Sequence, residues 1–243
     1  MTETTSKGVA IVTGSRRGIG SAIAHSLAAG GFDIVVSDIE RDDYAEATLA
    51  GIAKLGRRSV FQSCDVGDEH SHAALLDAAD ALGELTCLVN NAGVSSTVRG
   101  DMLDLPVESL DRALRVNLRG PFLLSQAFAK RLIARGPSEA FRSIVNITSI
   151  NATVLGLNRP DYCMTKAALS TMTRLFAARL GADAINVYEV RPGMTLTEMT
   201  APSRARYDQM IADGAVPMHR WGMPDDVAQA VATLALGGFR FST

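Results

Sequence analysis

The chain has 243 residues, of which 47% are hydrophobic and 21% charged, a composition that excludes a mainly disordered protein. The chain has 24 Lys and Arg and 26 Asp and Glu, so its net charge is −2. Because it lacks a basic excess, we expect no nucleic-acid partner. The 3 cysteines form no CxxC pair and are typical of free thiols in a reducing compartment. The polar first residues and the absence of a long apolar stretch predict neither a signal peptide nor a membrane span. We therefore expect a cytoplasmic protein without a membrane partner.

Short β-branched runs alternate with longer segments that have the apolar period of a helix. In chain order, the pattern predicts strand 9–13, helix 18–29, strand 34–36, helix 43–55, strand 59–64, helix 69–82, strand 85–90, a helical stretch 107–134 interrupted at Gly120-Pro121, strand 143–149, helix 161–180, strand 185–190, a short helical piece within 201–222 and helix 224–236. This alternation predicts a doubly wound parallel sheet with helices on both faces. We expect one α/β domain over 1–243, Rossmann-type and three-layered (α/β/α), with a small substrate lid at about 195–222.

The segment 13–20, Thr-Gly-Ser-Arg-Arg-Gly-Ile-Gly, lies between the first predicted strand and the first predicted helix. Its GxxxGxG spacing differs from the commoner GxGxxG, but glycines let a backbone approach a phosphate, and a helix N-terminus presents free N–H groups. Asp38 ends the second strand, where a carboxylate can accept hydrogen bonds from an adenosine ribose. Singly, the loop also fits a tight strand–helix connection and Asp38 a strand-end cap. Their order along the chain favours a dinucleotide site.

The choice between NAD and NADP depends on two charged residues. A guanidinium at Arg17 would attract the 2′-phosphate of NADP, whereas the carboxylate of Asp38 would repel it. The two side chains could also pair and partly neutralise each other, and Arg16 and Arg17 are equally compatible with a solvated loop. We favour NAD because Asp38 would have to move or take up a proton to admit the phosphate, and Arg17 leaves NADP open.

Tyr162 and Lys166 are four residues apart on one predicted helix, so they share a face and can reach one cleft. A neighbouring ammonium favours phenolate, which predicts that Lys166 lowers the pKa of Tyr162 toward the range of a general acid or base. Ser149 ends a predicted strand, at the edge where open parallel sheets bind ligands. Alternatively, a YxxxK pair occurs by chance on exposed helices, and Ser149 is a turn cap.

With these residues in view, the chain resembles the short-chain dehydrogenase/reductase family over nearly its whole length. The matching segments are TGSRRGIG (13–20), Asp38, Cys64-Asp65-Val66, Asn90-Asn91-Ala92-Gly93, Asn117, Ser149, YCMTK (162–166) and Arg191-Pro192-Gly193. Each is modest alone, whereas their shared order and spacing are specific. The resemblance implies a Rossmann-type enzyme that exchanges a hydride between a nicotinamide cofactor and an alcohol or ketone.

By matching position, the resemblance implies that Tyr162 donates or accepts the proton and that Ser149 orients the carbonyl. Lys166 would bind the nicotinamide ribose and lower the pKa of Tyr162, and Asn117 would hold a water that links Lys166 to solvent. The cofactor contacts that the resemblance implies are Gly14, Arg16, Arg17, Gly18, Ile19, Gly20, Asp38, Asp65, Val66, Asn91, Ala92, Gly93, Tyr162, Lys166, Pro192, Gly193, Thr195 and Thr197, with no metal. Asp65 and Val66 would lie at the adenine, and residues 192–197 at the nicotinamide.

Two features depart from the family pattern. Thr195 stands where members usually have a branched apolar residue, which would alter a contact to the carboxamide. The chain ends at Phe241-Ser-Thr243, whereas members usually continue with a further strand and a Val-Asp-Gly-Gly segment. We therefore do not expect that last strand and its subunit contact from this chain.

The sequence is compatible with several classes of substrate. The resemblance includes 3-oxoacyl-[acyl-carrier-protein] reductases, so a 3-oxoacyl thioester is one candidate and a sugar or polyol another. A non-catalytic nucleotide-sensing protein is the alternative from a different class. Asn158 and Arg159 either contact a polar or acidic substrate or are solvated loop residues. The resemblance also implies a homo-oligomer, a dimer or tetramer, in which helices 107–134 and 161–180 pair between subunits.

Overall fold

The computed structural model describes residues 6–243. Its strands are β1 (Val9–Thr13), β2 (Asp33–Asp38), β3 (Ser59–Ser63), β4 (Leu85–Asn90), β5 (Arg142–Ile147) and β6 (Ile185–Val190). Its helices are α1 (Gly18–Ala29), α2 (Asp43–Lys54), α3 (His72–Leu82), α4 (Val107–Leu114), α5 (Gly120–Ala134), α6 (Pro160–Leu180), α7 (Arg204–Ala212) and α8 (Pro224–Ala235). Every predicted strand and helix is present, with ends that differ by a few residues.

All six strands are parallel, in the order β3-β2-β1-β4-β5-β6. The chain winds outward from β1 to β3 and then outward again from β4 to β6, so the direction reverses between β1 and β4. The carboxyl ends of these two strands flank the crevice where sheets of this type bind ligands. The predicted doubly wound, Rossmann-type sheet is confirmed.

The core has two halves, one on each face of the sheet, because successive residues of a strand point to opposite faces. Val9 and Ile11 of β1 pack on the side of α3, α5 and α6. Ala10 and Val12 pack on the side of α1 and α8. The central strands β1 and β4 are buried on both faces, as parallel strands between two helical layers are, and the predicted α/β/α layering is confirmed.

The helical stretch over 107–134 is interrupted one turn earlier than predicted. A π-helical turn, Arg115–Arg119, separates α4 from α5, and Pro121 lies in the first turn of α5. A Cβ on Gly120 would lie 2.3 Å from the carbonyl oxygen of Val66, so glycine allows α5 to approach the loop after β3. β5 also ends two residues before the predicted end, which leaves Ser149 in the following turn.

Residues 195–222 form a closed loop that contains α7. Thr195 pairs with Gly222 in a short parallel bridge, and Leu196 N donates to Gly222 O at 2.9 Å. Tyr207 and Ile211 of α7 are buried, and Trp221 packs edge-on against Tyr207 with ring centroids 5.8 Å apart. The lid function of this segment stays a prediction.

β6 is the last strand of residues 6–243, and the end of the chain lies along it. Tyr188 Oη donates to Phe239 O at 2.7 Å, and Val187 N donates to Thr243 Oγ1 at 2.9 Å. Of the helices in this part of the chain, none combines the length and the apolar character needed to cross a bilayer.

Candidate active site

The turn between β1 and α1 has a backbone shape that admits a phosphate. Gly18 has a φ of +59°, and a Cβ built there meets nothing within 4 Å, so the backbone is open to a ligand. At Gly20 a Cβ would lie 2.2 Å from the carbonyl oxygen of Gly14, so only glycine permits this close approach. No side chain of the described residues caps α1 at Arg17, which leaves its first N–H groups available to an anion. Ile19 anchors the helix from below by packing against the core.

The loop after β4 is fastened directly to this turn. Asn91 Nδ2 donates to the carbonyl oxygens of Thr13 and Gly14, at 2.8 and 2.9 Å. Asn91 N and Ala92 N both donate to Thr13 Oγ1 at 3.0 Å. The motifs 13–20 and 90–93, far apart in sequence, thus form one wall of the crevice. A dinucleotide phosphate fits this wall, because its donors are backbone N–H groups and its open space lies at Gly18.

Arg16 lies at the centre of a cluster of three acids. Its Nε is 3.7 Å from Asp38 Oδ1, and its Nη1 is 3.0 Å from Glu40 Oε2 and also contacts Asp42. The alternative of a solvated Arg16 is wrong, because its side chain is only 15% exposed. Three carboxylates around one guanidinium leave this end of the crevice with an excess of negative charge.

No ion pair within residues 6–243 joins Arg17 to Asp38, so the suggested pairing of these two residues is wrong. Arg17 Nη1 instead contacts the carboxylate of Glu198, and its guanidinium lies 5.7 Å from the centre of the Tyr44 ring. The neighbouring Arg16 takes the place beside Asp38. Since Glu198 belongs to the loop 195–222, Arg17 links the turn between β1 and α1 to that loop.

Asp65 and Val66 follow β3 at the same edge of the sheet. Partial burial raises the pKa of Asp65, but hydrogen bonds from Arg115 and from Gly67 N, together with the charge of Arg115, bring it below the usual value. Arg115 Nη1 lies 2.7 Å from Asp65 Oδ2. The carbonyl oxygen of Val66 lies 2.9 Å from Nε2 of His72. These contacts hold the loop in place at the position where adenine is expected.

Ser149, Tyr162 and Lys166 are close together at the carboxyl end of β5. Lys166 Nζ lies 5.7 Å from the centre of the Tyr162 ring and donates to Ile147 O at 2.8 Å. Ser149 Oγ accepts from Asn151 N at 3.2 Å, which is the predicted turn cap, and also hydrogen-bonds to the Tyr162 hydroxyl. The two interpretations of Ser149 are therefore compatible.

The prediction that Lys166 lowers the pKa of Tyr162 is wrong. Burial raises the pKa of Tyr162, opposed by the hydrogen bond to Ser149 and the positive charge of Arg159. The ammonium of Lys166 donates to the Ile147 carbonyl, and burial outweighs the effects that lower the pKa of Tyr162. Burial also lowers the pKa of Lys166, from 10.5 to about 8. Tyr162 therefore carries its proton at neutral pH.

Asn117 reaches the same cluster from the π-helical turn. Its Oδ1 accepts from Val94 N at 2.8 Å, and its Nδ2 donates to Val94 O at 2.9 Å and to Thr165 Oγ1 at 3.2 Å. A Cβ on Gly93 would lie 3.3 Å from Asn117 Oδ1 and 3.6 Å from Lys166 Nζ. Gly93 thus lets the loop after β4 approach both side chains. π-helical turns occur frequently at functional sites.

The segment after β6 closes the crevice on the far side. The carbonyl oxygen of Pro192 accepts from Ile150 N at 3.0 Å, which joins this segment to the turn after Ser149. Thr195 is 4% exposed, and its hydroxyl faces the carbonyl of Gly193 at 3.5 Å. Thr197 N donates to Thr200 Oγ1 at 3.0 Å.

Asp161 precedes Tyr162, is fully buried and is a site residue that was not predicted from the sequence. Its carboxylate accepts from the hydroxyl groups of Ser96 and Ser109 and, at 2.8 Å, from Tyr162 N. These bonds tie the first turn of α6 to the loop after β4 and to α4. A single sequence carries no signal for this cluster, because its members are 52 and 65 positions apart.

The chain is similar to known proteins over nearly its whole length. A family model described as enoyl-(acyl carrier protein) reductase matches residues 13–243. A solved 3-oxoacyl-[acyl-carrier protein] reductase from Brucella melitensis, in complex with NAD, is 43% identical, with a TM-score of 0.93 and coverage of 98% of this chain and 93% of that chain. A putative 2-deoxy-d-gluconate 3-dehydrogenase from Agrobacterium tumefaciens, with bound NADP, is 32% identical, with a TM-score of 0.87 and coverage of 98% and 92%.

A curated relative gives a similar match. The 2-dehydro-3-deoxy-D-gluconate 5-dehydrogenase of Dickeya dadantii (strain 3937) is 33% identical over 230 residues, which are 93% of this chain and 87% of that protein.

Proposed function

The chain belongs to the short-chain dehydrogenase/reductase family, and from this premise we propose that the cluster of Ser149, Tyr162 and Lys166 is its catalytic centre. It is an NAD(P)-dependent oxidoreductase that transfers a hydride between the cofactor and an alcohol or ketone. One observation carries the assignment of the centre. The three side chains meet at the carboxyl end of β5, where Ser149 hydrogen-bonds to the Tyr162 hydroxyl and Lys166 Nζ lies 5.7 Å from the centre of the Tyr162 ring.

The cofactor would lie along the carboxyl ends of β1 and β4. The N–H groups of the turn 14–20 would hold its pyrophosphate, Asp38 the adenosine ribose, and Asp65 and Val66 the adenine. Residues 91–93 and 192–197 would line the nicotinamide end. Bound there, the nicotinamide supplies or accepts the hydride.

Tyr162 moves the proton. Because burial raises its pKa, the phenol is protonated at neutral pH and is ready to donate to a carbonyl oxygen during reduction. Ser149 donates a second hydrogen bond to the same oxygen and orients it. Lys166 would hold the nicotinamide ribose, and Asn117 would link the Lys166 ammonium to solvent through a water. In the oxidation direction Tyr162 must first lose its proton, so alkaline conditions favour that direction.

NAD is the preferred cofactor in this proposal. The acids Asp38, Glu40 and Asp42 surround Arg16, so one guanidinium faces three carboxylates at the ribose end. The 2′-phosphate of NADP would meet a net negative charge there, whereas the hydroxyl of NAD can donate to Asp38. Arg17, the reason for leaving NADP open, is engaged by Glu198.

The loop 195–222 would act as the substrate lid, and the enzyme would be a homo-oligomer. The surface formed by α5 and α6, which we call the α5–α6 face, bears Phe122 and Leu175, 40% and 63% exposed. A second copy would cover this apolar surface. The cysteines of the described residues are unpaired, which fits the expected cytoplasmic location.

Replacing Tyr162 tests the catalytic assignment. Tyr162→Phe keeps the ring but removes the hydroxyl group that would carry the proton. We therefore expect kcat to fall by about 10²–10⁴-fold in NAD⁺-dependent oxidation of a panel of secondary alcohols. NADH binding, followed by fluorescence, should remain. Tyr44→Phe makes the same change at an exposed tyrosine and serves as the control. A Tyr162→Phe enzyme that retains more than about a tenth of wild-type kcat would contradict the assignment.

A further inference from the structure

Arg159 occupies a defined position beside the proposed catalytic centre. It immediately precedes α6, and its guanidinium lies 5.7 Å from the centre of the Tyr162 ring. Arg159 N donates to Gly156 O at 2.9 Å, which closes the turn in front of the helix. A Cβ on Gly156 would lie 3.0 Å from Arg159 Nε, so the side chain packs directly on this turn. The guanidinium is thus held between the 156–159 turn and the aromatic ring.

This positive charge has no counterion among residues 6–243. The ion pairs found within residues 6–243 do not include Arg159, and its side chain has no hydrogen-bond acceptor there. The acids of the neighbouring segments have other partners: Glu198 contacts Arg17, and Glu189 contacts Arg191. The carboxylate of Asp161 accepts from two serines. The hydrogen-bond donors of this half-buried guanidinium are therefore available to a ligand.

The charge acts at the position where a substrate reacts. It opposes the rise in the pKa of Tyr162, so its field extends to the phenolic hydroxyl. A substrate whose carbonyl oxygen reaches Tyr162 therefore comes within the field of Arg159. The planar fork of donors in a guanidinium matches a carboxylate in two parallel hydrogen bonds, and it also binds phosphate.

We propose that this enzyme acts on alcohols or ketones that carry an anionic group, best a carboxylate, near the reacting carbon, and that Arg159 binds this group. This inference rests on the proposed function of the Tyr162 centre. It makes Arg159 a specificity-determining residue, and it favours small hydroxy acids or keto acids over neutral sugars.

Matched substrate pairs test the proposal. The probes are hydroxycarboxylic acids with the hydroxyl at increasing distance from the carboxylate, each beside its methyl ester, and polyol phosphates, each beside the free polyol. We expect wild-type kcat/KM to favour the charged member, and the acid pairs are expected to show the larger ratio. Arg159→Gln should lower kcat/KM for the acid by about tenfold to hundredfold and leave the ester within about threefold. Arg159→Lys keeps the positive charge but loses the planar pair of donors. Its ratio of kcat/KM for the acid to kcat/KM for the ester should therefore lie between those of the wild type and Arg159→Gln.

The control is Arg179→Gln, which removes a positive charge from the other end of α6, about 30 Å away by helix length. Its ratio should equal that of the wild type. A general loss of structure, or of the effect on Tyr162, would lower acid and ester together and would therefore contradict a role in recognition.

The failure of this inference can be told apart from the failure of the proposed function. If the wild type oxidises esters and polyols as well as their charged counterparts, the inference is wrong and the Tyr162 assignment stands. If phosphates are preferred and acids are not, the carboxylate assignment is wrong. If NADH binds but no member of the panel is turned over, the proposed function itself is contradicted.

Discussion

Two adjacent arginines show how much one residue position decides. Arg16 is drawn to Asp38, Glu40 and Asp42, whereas Arg17 turns to Glu198 on another loop. Along the chain they are equivalent neighbours of the phosphate turn. The two side chains leave the backbone in different directions at the N-terminus of α1. This difference places Arg16, and not Arg17, among the three carboxylates.

The charge of Asp38 should set the cofactor preference. We expect the wild type to have a kcat/KM for NAD⁺ at least about tenfold above that for NADP⁺, because a 2′-phosphate meets excess negative charge. Asp38→Asn removes one of these charges and a ribose acceptor, so the ratio should fall by about tenfold. Asp183→Asn, at the far end of α6, is the matched control. A wild type that prefers NADP⁺ would show that Arg17 leaves Glu198 to bind the phosphate.

At the scale of elements, α6 is held at its first turns by polar bonds to three neighbours. Lys166 donates to the last residue of β5, and Asp161 accepts from α4 and from the loop after β4. The π-helical turn Arg115–Arg119 turns Asn117 inward to the same place. The proposed centre is therefore a junction of elements rather than a feature of one helix.

The junction of α6 with β5 contains a buried ammonium, which costs stability. The pKa of Lys166 is about 8 in the folded protein, against 10.5 for an ordinary lysine. Without added cofactor, Lys166→Met should therefore be more stable than the wild type near pH 7, by up to about 3 kcal/mol less the lost bond to Ile147. Between about pH 8 and pH 10.5 the unfolded state binds more protons at Lys166 than the folded state does, so the free energy of unfolding of the wild type rises with pH. The stability advantage of Lys166→Met therefore becomes smaller as the pH rises.

Urea unfolding at about pH 7 and about pH 10 measures this effect. The exposed Lys54→Met, at the end of α2, is the control and should show no comparable pH dependence. Lys166→Met should also lose activity. If its stability advantage were the same at both pH values, the Lys166 ammonium would not be the source.

At the scale of the whole molecule, the α5–α6 face is an apolar surface that the rest of residues 6–243 leaves uncovered. Leu169 and Met172 are buried, at 1% and 3% exposed, whereas Leu175 is 63% exposed on the same helix. Phe122 and Phe176 pack edge-on, with centroids 5.4 Å apart, beside a groove of about 950 Å³. One side of α6 thus packs into the core, and the other side exposes an apolar strip.

A charge on this strip should dissociate the proposed oligomer. We expect wild-type protein to elute as a dimer or tetramer at micromolar concentration, and Leu175→Glu as a monomer, because a buried unpaired carboxylate is costly. Size-exclusion chromatography with light scattering gives the masses. Leu103→Glu places the same charge at an 87% exposed leucine elsewhere and should leave the mass unchanged. A monomeric wild type would overturn the proposal.

The layered fold, the glycine turn 13–20 and the Tyr162–Lys166 spacing follow from local features of the chain, namely apolar periodicity, glycine positions and the pitch of one helix. Which charged groups contact one another depends on how the chain folds. The tertiary structure placed Arg16 rather than Arg17 beside Asp38, turned Lys166 toward Ile147, gave the influence on Tyr162 to Arg159, and buried Asp161 between two distant serines. Electrostatic interactions fall with distance and grow with burial, and neither quantity can be read from positions along a chain.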